Sequence, residues 1–251
     1  MVIATHTHYL PEAPDFEQKF IATLDAAGVD RAVVMGNTGG AEPMNEYVVE
    51  FVKRFPDRII GAAYLDPREA DAPEHLRKLV NEDGMRALKY ISGVGFYPND
   101  HAIYPVYEAA LELGIPVMAH TCSVTAHLHL RQKYSQPIFL DDVARDFPAL
   151  NIIVVHAGQS LLDQALVIGN LDNVYVETSS MGDPWMFEHN IRRLHGRYGA
   201  DRLMFGGPDH NYENMQKTLD EMRAALAALK LSSADVDKVM GENAARLFPT
   251  L

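Results

Sequence analysis

Short apolar segments rich in β-branched residues recur along the chain and predict eight β-strands. Their starts lie roughly 22 to 36 residues apart, which is about the length of one strand, one helix and two loops. Most are continuous apolar runs without alternation, as strands covered on both faces require. The predicted strands are Val2–His6, Arg31–Gly36, Arg58–Leu65, Met85–Tyr90, Ile115–His120, Asn151–His156, Asn173–Thr178 and Arg202–Phe205.

Helical patterns fill the segments between these strands. Phe16 and Phe20 recur at helical spacing, and Gly28 stands where a glycine would end that helix. Near the end of the chain, Ser232 and Asp235 are spaced as a capping box and predict a short last helix. Strands and helices are therefore expected to alternate from one end of the sequence to the other.

This alternation predicts a (β/α)₈ barrel in a single domain spanning 1–251, with a short extra C-terminal helix. A doubly wound open sheet is the alternative. The first predicted strand, however, runs into Thr5–His8 and not into a glycine-rich turn. Gly93 and Gly95 form only a fragment of a dinucleotide-binding motif, since a third glycine is missing. We therefore favour the barrel.

Polar side chains end several predicted strands, and in such barrels the active site lies at the C-terminal ends of the strands. His6 and His8 are two residues apart in an extended segment, so their side chains point the same way. His120 ends the fifth strand, His156 ends the sixth, and Asp209 follows the eighth. Imidazoles and a carboxylate are suitable ligands for zinc or a similar ion. Burying so many polar groups without a shared task is costly, so the pattern predicts a metal site.

These motifs resemble the amidohydrolase superfamily, and within it the amidohydrolase-2 group, which includes relatives of aminocarboxymuconate-semialdehyde decarboxylase. The resemblance extends over nearly the whole chain. The segments on which it rests are Gly28–Val34, His6–His8, Pro116–His120, His156–Gly158, Phe205–Asp209 and Gly241–Phe248.

The resemblance implies that one divalent metal is bound by His6, His8, His120 and Asp209. From the types of ligand we expect Zn²⁺ first, with Mn²⁺ or Mg²⁺ as alternatives. His156 would lie near the metal-bound water, where it orients the water or polarises the substrate. Asp209 and His156 are thus the expected catalytic residues.

Two positions depart from the group's usual pattern. Asp209 arrives one residue late, because both Gly207 and Pro208 precede it. Lys89 matches a lysine common at the fourth strand, but Tyr90 and the residue after it replace the Leu-His pair that often follows. Other branches of the superfamily use a carbamylated lysine to bridge two metals. For Lys89 we expect a structural or substrate-binding role instead.

Further polar residues are candidates for contacts with a substrate. Arg68, after the third predicted strand, is a candidate for binding a substrate carboxylate, and His210 for a hydrogen bond within the site. His127 and His129 are interpreted as part of a solvated loop. Cys122 is interpreted as a small buried thiol.

Composition narrows the partners and the compartment. The formal net charge is −12 and no basic run is present, which argues against nucleic-acid binding. The sequence has no apolar run of the roughly 20 residues that a membrane helix needs. Its start lacks a signal-peptide pattern, and its single cysteine suits a reducing compartment, so we expect a cytoplasmic protein. The expected partner is a small-molecule substrate, and a homo-oligomer is compatible with the sequence.

Two reactions fit this site. The leading hypothesis is metal-assisted hydrolysis of an ester, lactone or amide, in which the ion lowers the pKa of its bound water toward about 7. The alternative is non-oxidative decarboxylation of a small carboxylic acid at the same site. A third possibility, a barrel that binds a ligand without turnover, leaves His156 and Asp209 without a purpose.

Overall fold

A computed structural model describes residues 1–36, 44–121, 130–181 and 184–248 of the chain. Eight parallel strands lie side by side in the order in which they occur in the sequence. They are β1 (Ile3–His8), β2 (Arg31–Met35), β3 (Ile59–Tyr64), β4 (Ala87–Tyr90), β5 (Val117–His120), β6 (Ile152–Val155), β7 (Val174–Glu177) and β8 (Leu203–Met204).

The two ends of this sheet meet and close it into a barrel. The backbone N–H of His6 donates to the carbonyl of Gly206 at 2.6 Å, and that of His8 donates to the carbonyl of Asp209 at 3.2 Å. Thr7 and Asp209 form a parallel bridge. The segment that follows β8 therefore pairs with β1, and the predicted (β/α)₈ barrel is confirmed.

Helices surround the strands and follow them in alternation. They are α1 (Phe16–Ala27), α2 (Asn45–Arg54), α3 (Ala72–Asn81), α4 (Tyr104–Glu112), α5 (Leu140–Asp146), α6 (Leu162–Ile168), α7 (Pro184–Tyr198), α8 (Met215–Ala228), α9 (Ser233–Asp237) and α10 (Asn243–Leu247). Gly28 ends α1 with φ 67°, a backbone angle that glycine adopts without strain. Ser232 caps α9 by accepting a hydrogen bond from the backbone N–H of Asp235, as its spacing predicts.

Side chains alternate along each strand between two apolar layers. One layer packs against the surrounding helices and includes Leu88 of β4 and Val176 of β7. The other fills the interior of the barrel and includes Ala87 and Tyr175, the preceding residues of the same two strands. Phe248 joins this interior layer from the end of the chain, so α10 closes one end of the barrel.

The strand boundaries agree with the sequence prediction to within two residues, and two of the differences, at the C-terminal ends of β1 and β6, affect residues of the mouth. β1 extends to His8, two residues beyond its predicted end. β6 ends at Val155, so His156 begins the loop before α6 and does not end the strand as predicted; α6 starts at Leu162. The residues between β6 and α6 include Ala157 with φ 49° and Gln159 with φ 47°. Such left-handed angles interrupt a right-handed helix, and the helix can begin only after them.

Within the described ranges, the helices lack the length and apolar character that a membrane crossing requires.

Candidate metal centre

Three potential ligand atoms from β1 and the segment after β8 converge at the C-terminal mouth of the barrel. The Nε2 atoms of His6 and His8 lie 3.0 Å apart. Asp209 Oδ1 lies 3.1 Å from His8 Nε2 and 3.5 Å from His6 Nε2. Among the described residues, this buried oxygen finds no hydrogen bond of normal geometry. Two imidazole nitrogens and an orphaned carboxylate oxygen around one point fit a divalent cation.

The backbone places Asp209 by means of two left-handed residues. Gly207 has φ 96° and Asp209 has φ 58°. A Cβ atom at Gly207 would lie 3.1 Å from Ala4 Cβ and 3.3 Å from the carbonyl oxygen of His6, so the chain passes close to β1 there. The extra residue before Asp209 is accommodated in this turn, and the carboxylate still reaches His8.

His156 and His120 stand beside these three ligand atoms. The ring of His156 lies 4.6 Å from that of His6 and 4.9 Å from that of His120, between ring centroids. Side chains alternate along a strand, so His156, which follows the inward-pointing Val155, would point outward if the strand continued. Its φ of 64° changes the direction of the backbone at that residue. The structure thus places His120 next to His156, outside the group formed by His6, His8 and Asp209.

Burial and neighbouring charges together determine the protonation of these groups. It lowers the pKa of His6 and of His120 well below the usual value, and neighbouring positive groups lower both further. Burial and the nearby His6 lower the pKa of His156 to about 3. Burial raises the pKa of Asp209, but His8, His6 and His156 together outweigh burial and hold it well below its ordinary range. Neutral imidazoles and an ionised carboxylate are the forms that bind metals.

Lys89 lies at an inward position of β4, two residues after the interior Ala87, and it is fully buried. Its charge lowers the pKa of His6, His120 and His156. The prediction that Lys89 contacts a substrate is compatible with this position.

The structure brings His210 to the edge of the centre but holds Arg68 elsewhere. The His210 ring stacks on the His8 ring with centroids 4.0 Å apart. Arg68 pairs with Asp66, its Nε lying 2.9 Å from Oδ1, and its guanidinium lies over the Phe96 ring at 5.5 Å. The role predicted for Arg68 stays a prediction.

The candidates Cys122, His127 and His129 lie outside the described residues.

Three polar residues at the end of β7 or shortly after it were not among the candidates predicted from the sequence. Glu177 is fully buried, and its Oε1 lies 3.7 Å from Nδ1 of both His6 and His156. Ser179 contacts the His156 ring, and Ser180 donates a hydrogen bond to Asp209 Oδ2 at 2.6 Å. Glu177 was detectable, because it is a charged residue at the end of an apolar predicted strand.

A family model described as amidohydrolase matches residues 3–250 of the chain. The chain belongs to this family. The resemblance drawn from the sequence motifs is confirmed. No curated protein matches the amidohydrolase chain in sequence.

Several solved structures share the fold of this amidohydrolase at low sequence identity. The 5-carboxyvanillate decarboxylase of Novosphingobium aromaticivorans, complexed with manganese and 4-hydroxy-3-methoxy-5-nitrobenzoic acid, has a TM-score of 0.75 at 17% identity, covering 99% of this chain and 96% of its own. The 2,6-dihydroxybenzoate decarboxylase from Rhizobium has a TM-score of 0.76 at 19% identity, covering 98% of each chain. A probable 2-pyrone-4,6-dicarboxylic acid hydrolase from Acinetobacter baumannii has a TM-score of 0.72 at 15% identity, also covering 98% of each chain.

Proposed function

We propose that this amidohydrolase-family barrel is a cytoplasmic, metal-dependent decarboxylase that acts non-oxidatively on a small carboxylic acid. The observation on which the proposal depends is the position of Lys89, fully buried among the histidines of the mouth. A lysine side chain in this position suits a substrate carboxylate, because hydrogen bonds between ammonium and carboxylate groups are among the stronger ones in proteins.

The donor atoms at the mouth of the barrel fit a divalent cation. His6, His8 and Asp209 would hold the ion, with His120 as a further ligand and Zn²⁺ or Mn²⁺ as the suited metals. When bound, such an ion supplies Lewis-acid stabilisation of negative charge on the substrate. Asp209 and His156 remain the proposed catalytic residues.

In the proposed reaction the bond between the carboxyl carbon and its neighbour breaks, and carbon dioxide leaves. The electron pair stays on the neighbouring carbon, which takes up one proton, so no oxidant or reductant is needed. The proton would come from solvent water, and Asp209 and His156 are the groups placed to relay it, because the His156 ring lies 4.6 Å from the His6 ring and Asp209 Oδ1 lies 3.5 Å from His6 Nε2. Lys89 would orient the carboxylate before it leaves.

The solved structures with this fold favour decarboxylation over hydrolysis, the reaction that ranks first from the sequence alone. Two of the three described above are named as decarboxylases of hydroxylated benzoic acids. The pyrone dicarboxylic acid hydrolase keeps hydrolysis as the second candidate. All three names denote enzymes of carboxylic acids, which suits a buried lysine.

The test compares two panels of compounds with the purified protein. One panel contains hydroxybenzoic and enol acids, and the other contains lactones and esters, each with Mn²⁺, Zn²⁺ or Mg²⁺ added after chelation. We expect carbon dioxide and the decarboxylated product in equal amounts from a member of the first panel. Ring opening of a lactone without release of carbon dioxide would favour hydrolysis and contradict the proposal.

A further inference from the structure

A buried carboxylate lies beside the metal centre and has no part in the steps described so far. Glu177 is at the end of β7, at the inward position two residues after Tyr175, and none of its surface is exposed. A carboxylate in such a place is costly unless several donors satisfy it. Its partners therefore indicate what it does.

Hydrogen bonds fix the direction in which each hydrogen points around Glu177. The backbone N–H of His156 donates to Oε1 at 2.6 Å. A backbone N–H can only donate, so Oε1 acts as an acceptor. The Ser179 hydroxyl also donates to Oε1, at 2.6 Å, and the Ser179 backbone N–H lies 3.2 Å from Oε2. The hydroxyl hydrogen of Ser179 is thereby committed to Glu177.

This commitment determines the tautomer of His156. Ser179 Oγ lies 2.8 Å from His156 Nδ1 and, having given away its hydrogen, can only accept there. The carbonyl oxygen of Ser179, which also can only accept, lies 3.3 Å from the same nitrogen. His156 Nδ1 must therefore hold the hydrogen of the neutral ring, and Nε2 retains its lone pair.

We propose that Glu177 is a positioning residue, which acts through Ser179 to hold His156 in the Nδ1–H tautomer with its Nε2 lone pair available at the metal centre. Carboxylates that orient imidazoles in this way increase their basicity as ligands or bases. His6 Nδ1 lies 3.7 Å from the same Oε1, which is beyond hydrogen-bond distance, so the positioning role concerns His156.

A second metal ion held by His6, His156 and Glu177 is the competing interpretation of this cluster. It would require His6 to bind one ion through Nδ1 and another through Nε2, which means an imidazolate bridge. It would also compete with the two donors that already lie 2.6 Å from Oε1 of Glu177. The positioning role requires neither change.

The direct test is the ¹⁵N spectrum of the imidazole rings in the full-length protein, loaded with diamagnetic Zn²⁺ and again after chelation. Long-range correlations to the ring C–H protons separate protonated from unprotonated nitrogens. The His156 signals are identified by their loss in His156→Asn. We expect hydrogen on Nδ1 and none on Nε2. A hydrogen on Nε2 of His156 would overturn the proposal, and this result needs no other variant to fold.

Ser179→Ala tests whether the hydroxyl transmits the effect of Glu177. We expect a population of the Nε2–H tautomer to appear, and kcat/KM to fall roughly 10–100-fold, mainly in kcat, as for other groups that orient a site histidine. Ser92→Ala is the matched control, because Ser92 is also fully buried and its hydroxyl donates one hydrogen bond, to the Tyr134 carbonyl at 2.8 Å. That variant should leave the His156 signals unchanged. Equal spectra and equal kinetics for the two variants would contradict the proposal.

Glu177→Gln separates positioning from metal binding, since the amide keeps the volume and one acceptor oxygen but removes the charge. We expect one metal per chain in both proteins, with affinity roughly 10–100-fold weaker in the variant. Two ions in the native protein and one in the variant would identify Glu177 as a ligand instead.

The kinetic part of this inference rests on the proposed function, whereas the tautomer does not. If His156 carries its hydrogen on Nδ1 but the protein decarboxylates none of the acids, the proposed function is wrong and the positioning role of Glu177 still holds.

Discussion

The two ends of the barrel interior are built from the same strands but differ in chemistry. At one end, Ala87, Met118 and Tyr175 pack with residues of α10 in an apolar layer. Two positions further along the same strands stand Lys89, His120 and Glu177, all titratable. Two residues along each strand, which is one period of side-chain alternation, thus separate the part of the interior that stabilises the fold from the part suited to catalysis.

Backbone strain follows the same division. Five residues other than glycine adopt left-handed angles in the loops after β6, β7 and β8, and these are His156, Ala157, Gln159, Ser180 and Asp209. Such angles cost about 1–3 kcal/mol each and persist where the surrounding structure enforces them. At the mouth, the fold therefore gives up stability to aim His156 and Asp209 at one point.

The largest effect on activity is expected from a change at the mouth. Asp209→Asn removes the charged member of the donor set, and we expect the metal to be lost and kcat/KM to fall about 10³-fold or more, because a bound ion is worth several kcal/mol to the reaction. Metal content and kcat/KM are measured on the same preparation. Asp25→Asn, which alters a surface ion pair with Arg58, is the control and should retain both. Full metal content in Asp209→Asn would place the ligands elsewhere.

A smaller effect on activity is expected from a change at Lys89, the residue proposed to bind the substrate carboxylate. Lys89→Met should raise KM roughly 10–100-fold, because a hydrogen bond to a charged group contributes about 1.5–3 kcal/mol. Metal content should be unchanged. Unchanged KM for every acid in the panel would remove Lys89 from the substrate site.

A change at the apolar end should affect stability and leave chemistry alone. Ile153→Ala empties part of the fully buried interior layer, and we expect the free energy of unfolding to fall by about 2–5 kcal/mol. Urea unfolding measures the loss, and kcat/KM per folded molecule should stay close to that of the native protein. A loss of activity as large as that of Asp209→Asn would break the division between the two ends.

The smallest effect is expected at Arg68, whose side chain is 44% exposed and paired with Asp66. Arg68→Ala should change both stability and binding little, because exposed ion pairs contribute about 0–1 kcal/mol. A rise in KM matching that of Lys89→Met would restore the substrate-binding role that the sequence predicts.

Much of this arrangement was predictable, because strand ends and their polar residues are visible in the sequence. The positions of His6 and His8 follow from alternation along one strand. Asp209 was harder, since its side chain reaches the centre only through the left-handed turn at Gly207. The contact between Ser179 and His156 was not predictable, because it joins two loops whose conformations no periodicity specifies.

The most direct test of the central claim is a crystal structure with anomalous scattering measured at the absorption edge of the bound metal. The account predicts one strong peak about 2.0–2.2 Å from His6 Nε2, His8 Nε2 and Asp209 Oδ1. A peak elsewhere, or a protein that is fully active with no metal, would contradict it.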